Sequence, residues 1–484
     1  MWQKIKNIYH LLNAVVANLW FRFPSRKLTV IGVTGTDGKT TTVNLIYHIL
    51  NVAGYNASMI SSVGAIIGGK EYDVGFHVTT PSPWALQRFI SLCHPEPARL
   101  AAKRVSGSRA KARFRNKFGM TNNQVRHDNK DHYLVLEVTS HAIDQNRIWG
   151  IPFDIGVLTN VTHEHLDYHK TYESYVATKT RLLKMARVAM VNRDDESYEL
   201  VKSKVNPRLD RGQKSKVQVK NKKFITYGMN KDSNVNPKVF PFKTNLIGEF
   251  NRYNVLAAVG ACNAIGISDQ DIKKGIESFN PPIGREEIVY KNSFTVMVDF
   301  AHTPNAFEQI LSAIKPSIKG RLIHVFGSAG QRDESKRPLM GKMSAKYSDI
   351  IVLTAEDPRS EPVGKIMSEI SSGIQKSKVK SQSPIQSGTK VKSKDDRSVV
   401  LRIPDRQEAI NAAIRMARKG DFVLITGKSH EKSMNYGHGE EPWDEFGAVR
   451  KALRNISERS PRRSRFATPP RWRGNDLDSS EVNF

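Results

Sequence analysis

Short apolar runs recur through the first half of the chain, and polar loops and stretches with helical spacing separate them. The apolar runs are KLTVIGVTG (27–35), YLVLEV (133–138), FDIGVLTNV (153–161) and VAMVN (188–192). Runs of this length, rich in β-branched residues, are typical of strands that are buried on both faces. Their alternation with helical stretches predicts an α/β domain with a mainly parallel sheet.

The second half of the chain contains a further series of such runs. They are FTVMVDFA (294–301), RLIHVFGS (321–328), DIIVLTAED (349–357) and DFVLITGKS (421–429). Before them, FNPPIGREEIV (279–289) carries two prolines and a glycine, as expected of a junction between domains. The pattern therefore predicts a central domain over 28–280 and a smaller, Rossmann-like α/β C-terminal domain over 281–456.

The first 27 residues predict an amphipathic helix that packs on the central domain. Lys4 and Lys6 precede an apolar stretch that is interrupted by His10, Asn13 and Asn18. Peripheral contact with a membrane surface is the alternative for this helix. The sequence has no run of about 18 apolar residues, so we expect no transmembrane segment.

The net charge of +28 is concentrated in four polar segments. Residues 99–117, 202–223, 376–397 and 459–473 together hold +27 of it. High charge and low apolar content predict disorder, and surface loops tolerate such insertions at little cost. We expect disordered basic inserts at about 93–130, 202–223 and 376–397, and a disordered tail over 457–484. Outside these four segments the chain is close to neutral, so we do not expect specific nucleic-acid binding.

The cysteine content points to a reducing compartment. Two cysteines, Cys93 and Cys262, can form neither a disulfide framework nor a cysteine metal site. We therefore expect a cytoplasmic protein, and we expect it to be a monomer.

The strongest chemical motif is VTGTDGKTTT (33–42), between the first predicted strand and a predicted helix. Gly38, Lys39 and Thr40 fit the phosphate-loop pattern, although Val33 stands where its first glycine belongs. In this context the lysine reaches nucleotide phosphates, and Thr40 or Thr41 ligates Mg²⁺. The motif predicts ATP and Mg²⁺ as cofactors without naming a reaction.

Charged residues end several of the other predicted strands. Glu137 and His165 are candidates for further Mg²⁺ ligands, whereas the histidine spacing does not match a structural zinc site. In the second half, Asp299 ends a strand, and charged loops follow three more. Parallel sheets bind ligands at this edge, so a cleft for an anionic or zwitterionic substrate is expected there.

The ordered motifs resemble the Mur ligases, the ATP-dependent amide-forming enzymes of peptidoglycan synthesis, and within them the UDP-N-acetylmuramoyl-tripeptide synthetases. The motifs that carry the resemblance are GVTGTDGKTTT, TTP (79–81), LEVTSHAIDQNR (136–147), FDIGVLTNVTHEHLDYH (153–169), YVATKTRLL (175–183), LIGEFNRYNVLAA (246–258), GREE (284–287), VDFAHTP (298–304), FGSAGQRDESKRPLM, EDPRSE and GKSHE. The resemblance runs from about residue 28 to 455, outside the inserts. The N-terminal uridine-binding domain that is usual in the family has no counterpart in this sequence.

The resemblance implies a role for each matching residue. The implied ATP-binding residues are Gly35, Thr36, Asp37, Gly38, Lys39, Thr40, Thr41, Asn254, Arg285 and Asp299. The implied metal-binding and catalytic residues are Lys39, Thr40, Glu137, His165 and Lys179, the last as a carbamylated lysine. The implied residues for the UDP-sugar peptide and the amino acid are Thr79, Thr80, Ser140, Arg147, Arg332, Asp357, Arg359, Gly427 and Glu431.

Within the family, the sequence favours meso-diaminopimelate over lysine as the added amino acid. Arg332 and Arg359 suit a second carboxylate on the substrate, because arginine binds carboxylates in a bidentate manner. Asp357 replaces the usual asparagine and could instead attract the ammonium group of lysine. The remaining alternatives are a folylpolyglutamate-synthase-like ligase, a basic nucleic-acid-binding ATPase, and a non-catalytic remnant.

Overall fold

The computed structural model describes residues 2–75, 79–94, 132–162, 164–205, 223–376 and 399–459. Most of the predicted basic inserts and tail therefore lie outside the described residues. At several edges these predictions were wrong, because residues 202–205, 376 and 457–459 each end a helix and residue 223 begins a strand. The first of these helices continues because Val201 and Val205 are buried against the central domain, and their apolar contacts outweigh the local charge.

The described helices and strands alternate along the chain much as the sequence predicts. In chain order the helices are α1 (Trp2–Trp20), α2 (Lys39–Val52), α3 (Pro83–Leu92), α4 (Ser140–Asp144), α5 (Leu166–His169), α6 (Tyr172–Met185), α7 (Tyr198–Val205), α8 (Glu249–Ala264), α9 (Asp269–Ser278), α10 (Pro304–Ile314), α11 (Lys336–Tyr347), α12 (Val363–Lys376), α13 (Arg406–Met416) and α14 (Glu445–Arg459). The strands are β1 (Thr29–Thr34), β2 (Asn56–Ser61), β3 (Gly64–Ile67), β4 (Lys70–Tyr72), β5 (His132–Glu137), β6 (Ile155–Leu158), β7 (Val188–Asn192), β8 (Lys223–Tyr227), β9 (Glu287–Lys291), β10 (Thr295–Asp299), β11 (Leu322–Phe326), β12 (Ile350–Leu353), β13 (Val399–Arg402), β14 (Phe422–Thr426), β15 (Ser433–Asn435) and β16 (Glu440–Pro442).

The central sheet has the order β4-β3-β2-β5-β1-β6-β7-β8. Its strands are parallel except for the β2–β3–β4 meander at one edge. Strand β1 lies in the middle between β5 and β6, and every residue in it is buried. The ends of β1, β5 and β6 therefore meet at one edge, which is where a parallel sheet presents its ligand-binding loops.

Helices cover both faces of this sheet. On one face, Ile31 and Val33 of β1 pack in a core with α2, α8 and α9. On the other face, Leu28 and Val30 pack in a second core with α3, α4 and α6. The alternation along β1 follows from the two-residue period of a strand.

The second sheet has the order β13-β12-β11-β14-β10-β9, and β9 is its antiparallel edge strand. Strands β10, β11, β12 and β14 run parallel, so their carboxyl ends share an edge. Helices α10, α11 and α12 pack on one face and α13 and α14 on the other. The predicted architecture of a mainly parallel central sheet followed by a smaller α/β sheet is present.

The predicted N-terminal helix is α1, and a short 3-10 helix at Pro24–Lys27 follows it. Among the described residues, no helix is both long enough and apolar enough to span a bilayer.

Candidate functional site

The loop between β1 and α2 has a conformation that requires glycine at two positions. Gly38 has a positive φ of 79°, and a Cβ added there would lie 2.2 Å from Asn254 Oδ1. A Cβ on Gly35 would lie 1.7 Å from Thr159 Oγ1, just beyond the end of β6. A side chain at either glycine would collide with its neighbour, so the two glycines let the loop fit closely between α8 and β6.

This loop faces a cleft of about 820 Å³ between the two sheets. Lys39 Nζ donates to Thr36 O at 2.7 Å, which holds the ammonium group over the loop. The first turn of α2 adds unpaired N–H groups and the positive end of the helix dipole. Of the ten residues predicted for ATP, all except Gly35 line the cleft. The arrangement suits a polyanion such as a nucleotide phosphate chain.

Thr40 and Glu137 form a pair of oxygen ligands at the base of the cleft. Thr40 Oγ1 donates to Glu137 Oε2 at 3.0 Å, and Ser62 N donates to the same carboxylate oxygen at 3.1 Å. Arg285 donates to Thr40 Oγ1 at 3.1 Å from the segment that joins the two sheets. A buried carboxylate beside a hydroxyl fits Mg²⁺, which takes its other ligands from water and phosphate. Within the described ranges, no three His, Cys, Asp or Glu side chains form a ready-made metal cluster.

Lys179 lies on α6 beneath the loop, and its side chain is almost completely buried. Its Nζ donates to Gly35 O at 2.6 Å and lies 4.4 Å from the centre of the Tyr175 ring. Burial, and then the nearby charge of Lys39, lower the pKa of Lys179 well below its usual range. The lowered pKa favours a neutral amine, which is the nucleophilic form.

His165 belongs to a group of aromatic rings on the same side of the loop. Its ring centre lies 5.0 Å from that of His141 and 6.1 Å from that of Tyr175. Burial lowers the pKa of His165 well below the usual value and lowers the pKa of His141 to about 4. Both imidazoles are therefore neutral near pH 7, a state in which a ring nitrogen can accept a proton or bind a metal.

The four predicted metal ligands thus form two pairs. Thr40 and Glu137 are in contact, while His165 and Lys179 both lie next to Tyr175. In the described part of the chain, no hydrogen bond joins one pair to the other.

Buried polar contacts join the phosphate loop region to the C-terminal sheet. Asp37 accepts hydrogen bonds from Thr303 Oγ1 at 3.3 Å and from Asn305 Nδ2 at 2.8 Å, at the start of α10. Lys336 at the start of α11 forms a buried ion pair with Glu164 at 3.2 Å. These contacts hold the two sheets together around the cleft.

Asp299 and its neighbour Glu286 line the cleft on the C-terminal side. The Asp299 carboxylate accepts hydrogen bonds from Glu286 N at 2.8 Å and Ala301 N at 2.7 Å. Burial, and then the charge of Asp299, raise the pKa of Glu286 to about 8. Near neutral pH, Glu286 can therefore hold a proton beside the cleft.

The predicted UDP-sugar peptide residues of the central domain differ in how they are placed. Thr79 lines the cleft. Thr80 is buried and donates to Glu137 O at 3.0 Å, while Arg147 donates to Thr80 O at 3.1 Å. Ser140 is buried at the start of α4. Thr80 and Arg147 thus support the backbone behind Glu137, and Thr79 is the member of the set that faces open space.

The predicted amino-acid residues surround the carboxyl ends of β12 and β14. Asp357 accepts two hydrogen bonds of 2.9 Å from Lys428 Nζ, which also donates to Glu431 at 2.6 Å. Lys428 thus pairs with the Asp357 carboxylate, but it is shared with Glu431, so the formal charges of the three side chains sum to −1. Whether Asp357 attracts a substrate ammonium stays a prediction. A Cβ on Gly427 would lie 2.2 Å from Glu356 Oε2, so this position also requires glycine.

Two arginines lie at the rim of this region. Arg359 donates to Gly330 O at 2.6 Å, and its φ of 53° directs the chain back towards that loop. Arg332 is exposed. Burial, and next the charge of Arg332, lower the pKa of Arg359, so the two guanidinium groups are close enough to repel each other. A carboxylate between them would relieve that repulsion.

A second cleft adjoins the first and extends the site towards β15. Its lining includes Glu431, and it shares Ser62, Thr79 and Phe300 with the ATP-side cleft. One continuous depression therefore connects the phosphate loop to the loops that follow β10 and β14. Of the predicted amino-acid residues, Glu431 lines it, whereas Arg332, Asp357, Arg359 and Gly427 do not.

Several residues of the site were missed by the sequence reasoning. They are Ser62, His141, Glu164, Glu286, Thr303, Asn305 and Lys428. Lys428 and Glu164 adjoin predicted residues within matched motifs, so motif position could have identified them. Ser62 and Asn305 act through contacts between distant segments, which no local pattern reveals.

Comparison with known proteins agrees with this geometry. The profile of the Mur ligase middle domain matches residues 33–262, and that of the Mur ligase glutamate ligase domain matches residues 284–429. The chain is 34% identical over 449 residues to UDP-N-acetylmuramoyl-L-alanyl-D-glutamate–2,6-diaminopimelate ligase 1 of Clostridium acetobutylicum, covering 92% of this chain and 82% of the relative. It is 35% identical over 440 residues to the corresponding ligase of Aquifex aeolicus, covering 90% and 80%.

Solved structures confirm the predicted fold class. A structure of a UDP-N-acetylmuramoyl-L-alanyl-D-glutamate–2,6-diaminopimelate ligase aligns with a TM-score of 0.52 and 25% identity, covering 89% of this chain and 79% of that one. E. coli FolC in complex with ADP aligns with a TM-score of 0.58 and 18% identity, covering 93% of each chain, which supports the shared fold alone. The resemblance found in the sequence is confirmed, and the chain belongs to the Mur ligase family.

Proposed function

We propose that this protein is an ATP-dependent ligase that adds meso-diaminopimelate to UDP-N-acetylmuramoyl-dipeptide in the cytoplasm. The observation that carries the proposal is the continuous depression between the phosphate loop and the loops after β10 and β14, which Asp299 and Glu431 line. A ligase of this kind must hold ATP, a carboxylate and an amine within one site. The relatives named as diaminopimelate ligases support this substrate class.

The reaction has two steps that the site can support. First, a carboxylate oxygen of the dipeptide attacks the γ-phosphorus of ATP, ADP leaves, and an acyl phosphate forms. Lys39 and the N-terminus of α2 offset the negative charge that otherwise keeps the two anions apart. The amine of the amino acid then attacks the acyl carbon, phosphate leaves, and the nitrogen loses a proton.

Thr40 and Glu137 would hold Mg²⁺ in this reaction. When bound by these two residues, Mg²⁺ would neutralise part of the phosphate charge. The buried carboxylate–hydroxyl pair supports this assignment, since Mg²⁺ prefers hard oxygen ligands. The neutral imidazole of His165, which also lines the cleft, would be a further candidate to hold the metal.

Lys179 would act as a carbamate. A neutral amine attacks the carbon of CO₂, and loss of one proton leaves an anionic carbamate. The lowered pKa of Lys179 favours this reaction. A bare ammonium group beside Mg²⁺ would repel it, whereas a carbamate at the same position stabilises it.

The choice of amine follows from Arg332 and Arg359. Meso-diaminopimelate carries a carboxylate at the far end of its side chain, and two guanidinium groups suit it. Lysine ends in a cation, which these groups repel. Lys428 pairs with the Asp357 carboxylate and so weakens its attraction for a lysine ammonium.

The decisive assay measures phosphate release with UDP-N-acetylmuramoyl-dipeptide and each amine in turn. We expect turnover that requires both substrates and favours meso-diaminopimelate over lysine. Arg359→Ala should reduce that preference by roughly 2–5 kcal/mol in kcat/KM terms.

Other outcomes would select the alternatives. A preference for lysine would overturn the assignment of meso-diaminopimelate as the added amino acid, while the assignment of ligase activity would stand. Turnover with folate and glutamate would favour a folylpolyglutamate-synthase-like enzyme, and turnover stimulated by RNA alone would favour a nucleic-acid-dependent ATPase.

A further inference from the structure

Helix α1 packs on the central domain through a side of small and polar residues, whereas an ordinary amphipathic helix buries its large apolar residues. Its buried side consists of Ala14, Ala17 and Asn18, all of them small or polar. Between them they provide little apolar area, because alanine has only a methyl group to bury. The expectation that this helix packs on the domain is met, but the side that packs is not its large apolar side.

Polar side chains make much of the attachment. Asn18 Nδ2 donates to Trp149 O at 2.8 Å, and Asn7 Nδ2 donates to Asp144 Oδ2 at 3.0 Å. Gln3 Nε2 donates to Tyr168 OH at 2.6 Å. These bonds fix the rotation of the helix about its own axis over most of its length.

The opposite side of α1 presents large apolar side chains to solvent. Seven of them are between 50% and 74% exposed: Ile5, Ile8, Tyr9, Leu12, Val16, Leu19 and Trp20. At about 100° per residue they occupy an arc of roughly 120°. Single exposed apolar residues are ordinary, whereas a continuous stripe of this kind marks an interaction surface.

Aromatic rings extend this stripe beyond the end of α1. The Trp20 and Phe21 rings lie 6.3 Å and 6.2 Å from the ring of Trp84, which is 38% exposed. Trp149, also 38% exposed, lies 6.4 Å from Phe23. Tryptophan is enriched where proteins meet the headgroup region of a bilayer.

The segments that carry the stripe have charges of one sign, while the nearby acid Asp144 contacts Asn7 of α1 and pairs with Arg181. Residues 1–36 and 79–94, which form α1, the 3-10 helix, β1 and α3, contain six Lys/Arg and no Asp or Glu. Arg22, Arg26 and Arg88 are exposed. This surface therefore attracts an anionic partner and repels a second copy of itself.

We propose that the apolar stripe of α1 docks on an anionic lipid surface, with the helix lying in the plane of the interface. A convex apolar stripe with basic flanks and tryptophans at one end matches the features of interfacial helices. A dimer through this stripe would bring two acid-free, basic surfaces together. The lipid surface supplies the missing negative charge instead.

The test is sedimentation of the full chain with vesicles. Wild-type protein should bind vesicles of phosphatidylcholine with roughly one third phosphatidylglycerol, and bind pure phosphatidylcholine much more weakly. The triple variant Ile8→Gln, Leu12→Gln, Leu19→Gln keeps every charge and changes exposed positions only. We expect its affinity for the anionic vesicles to fall at least about tenfold.

A matched control changes exposed apolar residues elsewhere. Val52→Gln, Met185→Gln and Leu339→Gln alter side chains that are 39–44% exposed and lie outside the stripe. This variant should bind as the wild type does. Circular dichroism and thermal unfolding of both variants establish that the fold is retained.

Three results would overturn the proposal. Failure of wild-type protein to bind the anionic vesicles would do so directly. Equal binding by the stripe variant would show that the basic segments bind by charge alone. A wild-type dimer that the stripe variant lacks would identify a second copy as the occupant.

Discussion

Replacing Lys179 with methionine tests whether this lysine is buried for catalysis or for the stability of the fold. The side chain is only 1% exposed, and its Nζ donates to Gly35 O at 2.6 Å. Methionine has a similar length and no charge, so it fills the same space without a polar group. If Lys179 serves chemistry and not stability, Lys179→Met should be inactive and yet more stable than the wild type.

The size of the effect follows from burial and hydrogen bonding. Removing a desolvated amine recovers about 1–3 kcal/mol, and losing the bond to Gly35 O costs about 1 kcal/mol. Near pH 10, where the unfolded chain also loses its lysine proton, the variant should gain about 1 kcal/mol in free energy of unfolding.

The gain should increase as the pH falls. Burial lowers the pKa of Lys179 in the folded state, while in the unfolded chain it stays near its usual value. Between those two values, unfolding takes up a proton, so the stability of the wild type rises with pH by up to about 1.4 kcal/mol per unit. The variant lacks this dependence, so its advantage over the wild type should be larger at pH 8 than at pH 10.

Lys428 provides a matched control because it is equally buried but fully paired. Its Nζ contacts Asp357 at 2.9 Å and Glu431 at 2.6 Å. Lys428→Met leaves two carboxylates without their cation and should lower the free energy of unfolding by about 3–5 kcal/mol. The same substitution at two buried lysines should therefore change stability in opposite directions.

Chemical denaturation of both variants in CO₂-free buffer between pH 7 and 10 measures these differences. Phosphate release in the presence of bicarbonate measures activity separately. A Lys179→Met protein that is less stable than the wild type at pH 8 would show that Lys179 is a structural cation. A fully active variant would contradict its proposed role as a carbamate.

Two further substitutions test the phosphate side of the site. Glu137→Gln keeps an oxygen that can accept hydrogen bonds from Ser62 and Thr40, but it removes the negative charge. The half-saturating Mg²⁺ concentration should therefore rise roughly 10–100-fold. An unchanged Mg²⁺ titration would show that Glu137 is not a ligand. Asp37→Asn retains an oxygen that can accept a hydrogen bond from Thr303, and it removes a negative charge beside the phosphates. The KM for ATP should therefore fall roughly threefold to tenfold. An unaltered KM would mean that contacts within the protein already balance the charge of Asp37.

The sequence predicts most of the fold because the apolar runs in both sheets are long and continuous. The phosphate loop is equally predictable, since Gly38 and Lys39 stand between a strand and a helix. Loops at the carboxyl ends of parallel strands share an edge in any such sheet, so grouping Asp299 with Asp357 follows from topology.

The pairing of side chains could not be predicted in the same way. Whether Asp357 faces a substrate or Lys428 depends on packing between β12 and the loop after β14. The orientation of α1 depends on Asn7 and Asn18 finding partners that are more than a hundred residues away. Periodicity shows that a helix has two different sides, but it does not show which of them the protein buries.

The position of Arg285 links the two halves of the molecule thermodynamically. It lies on the segment between the sheets, and its guanidinium group both contacts Thr40 and lies 4.3 Å from the centre of the Phe300 ring. Any rotation of one sheet relative to the other moves this cation with respect to the phosphate loop. We therefore expect occupancy of the loop and closure of the cleft to be coupled. Such coupling is reciprocal, so the factor by which nucleotide tightens the binding of the amine equals the factor by which the amine tightens the binding of nucleotide.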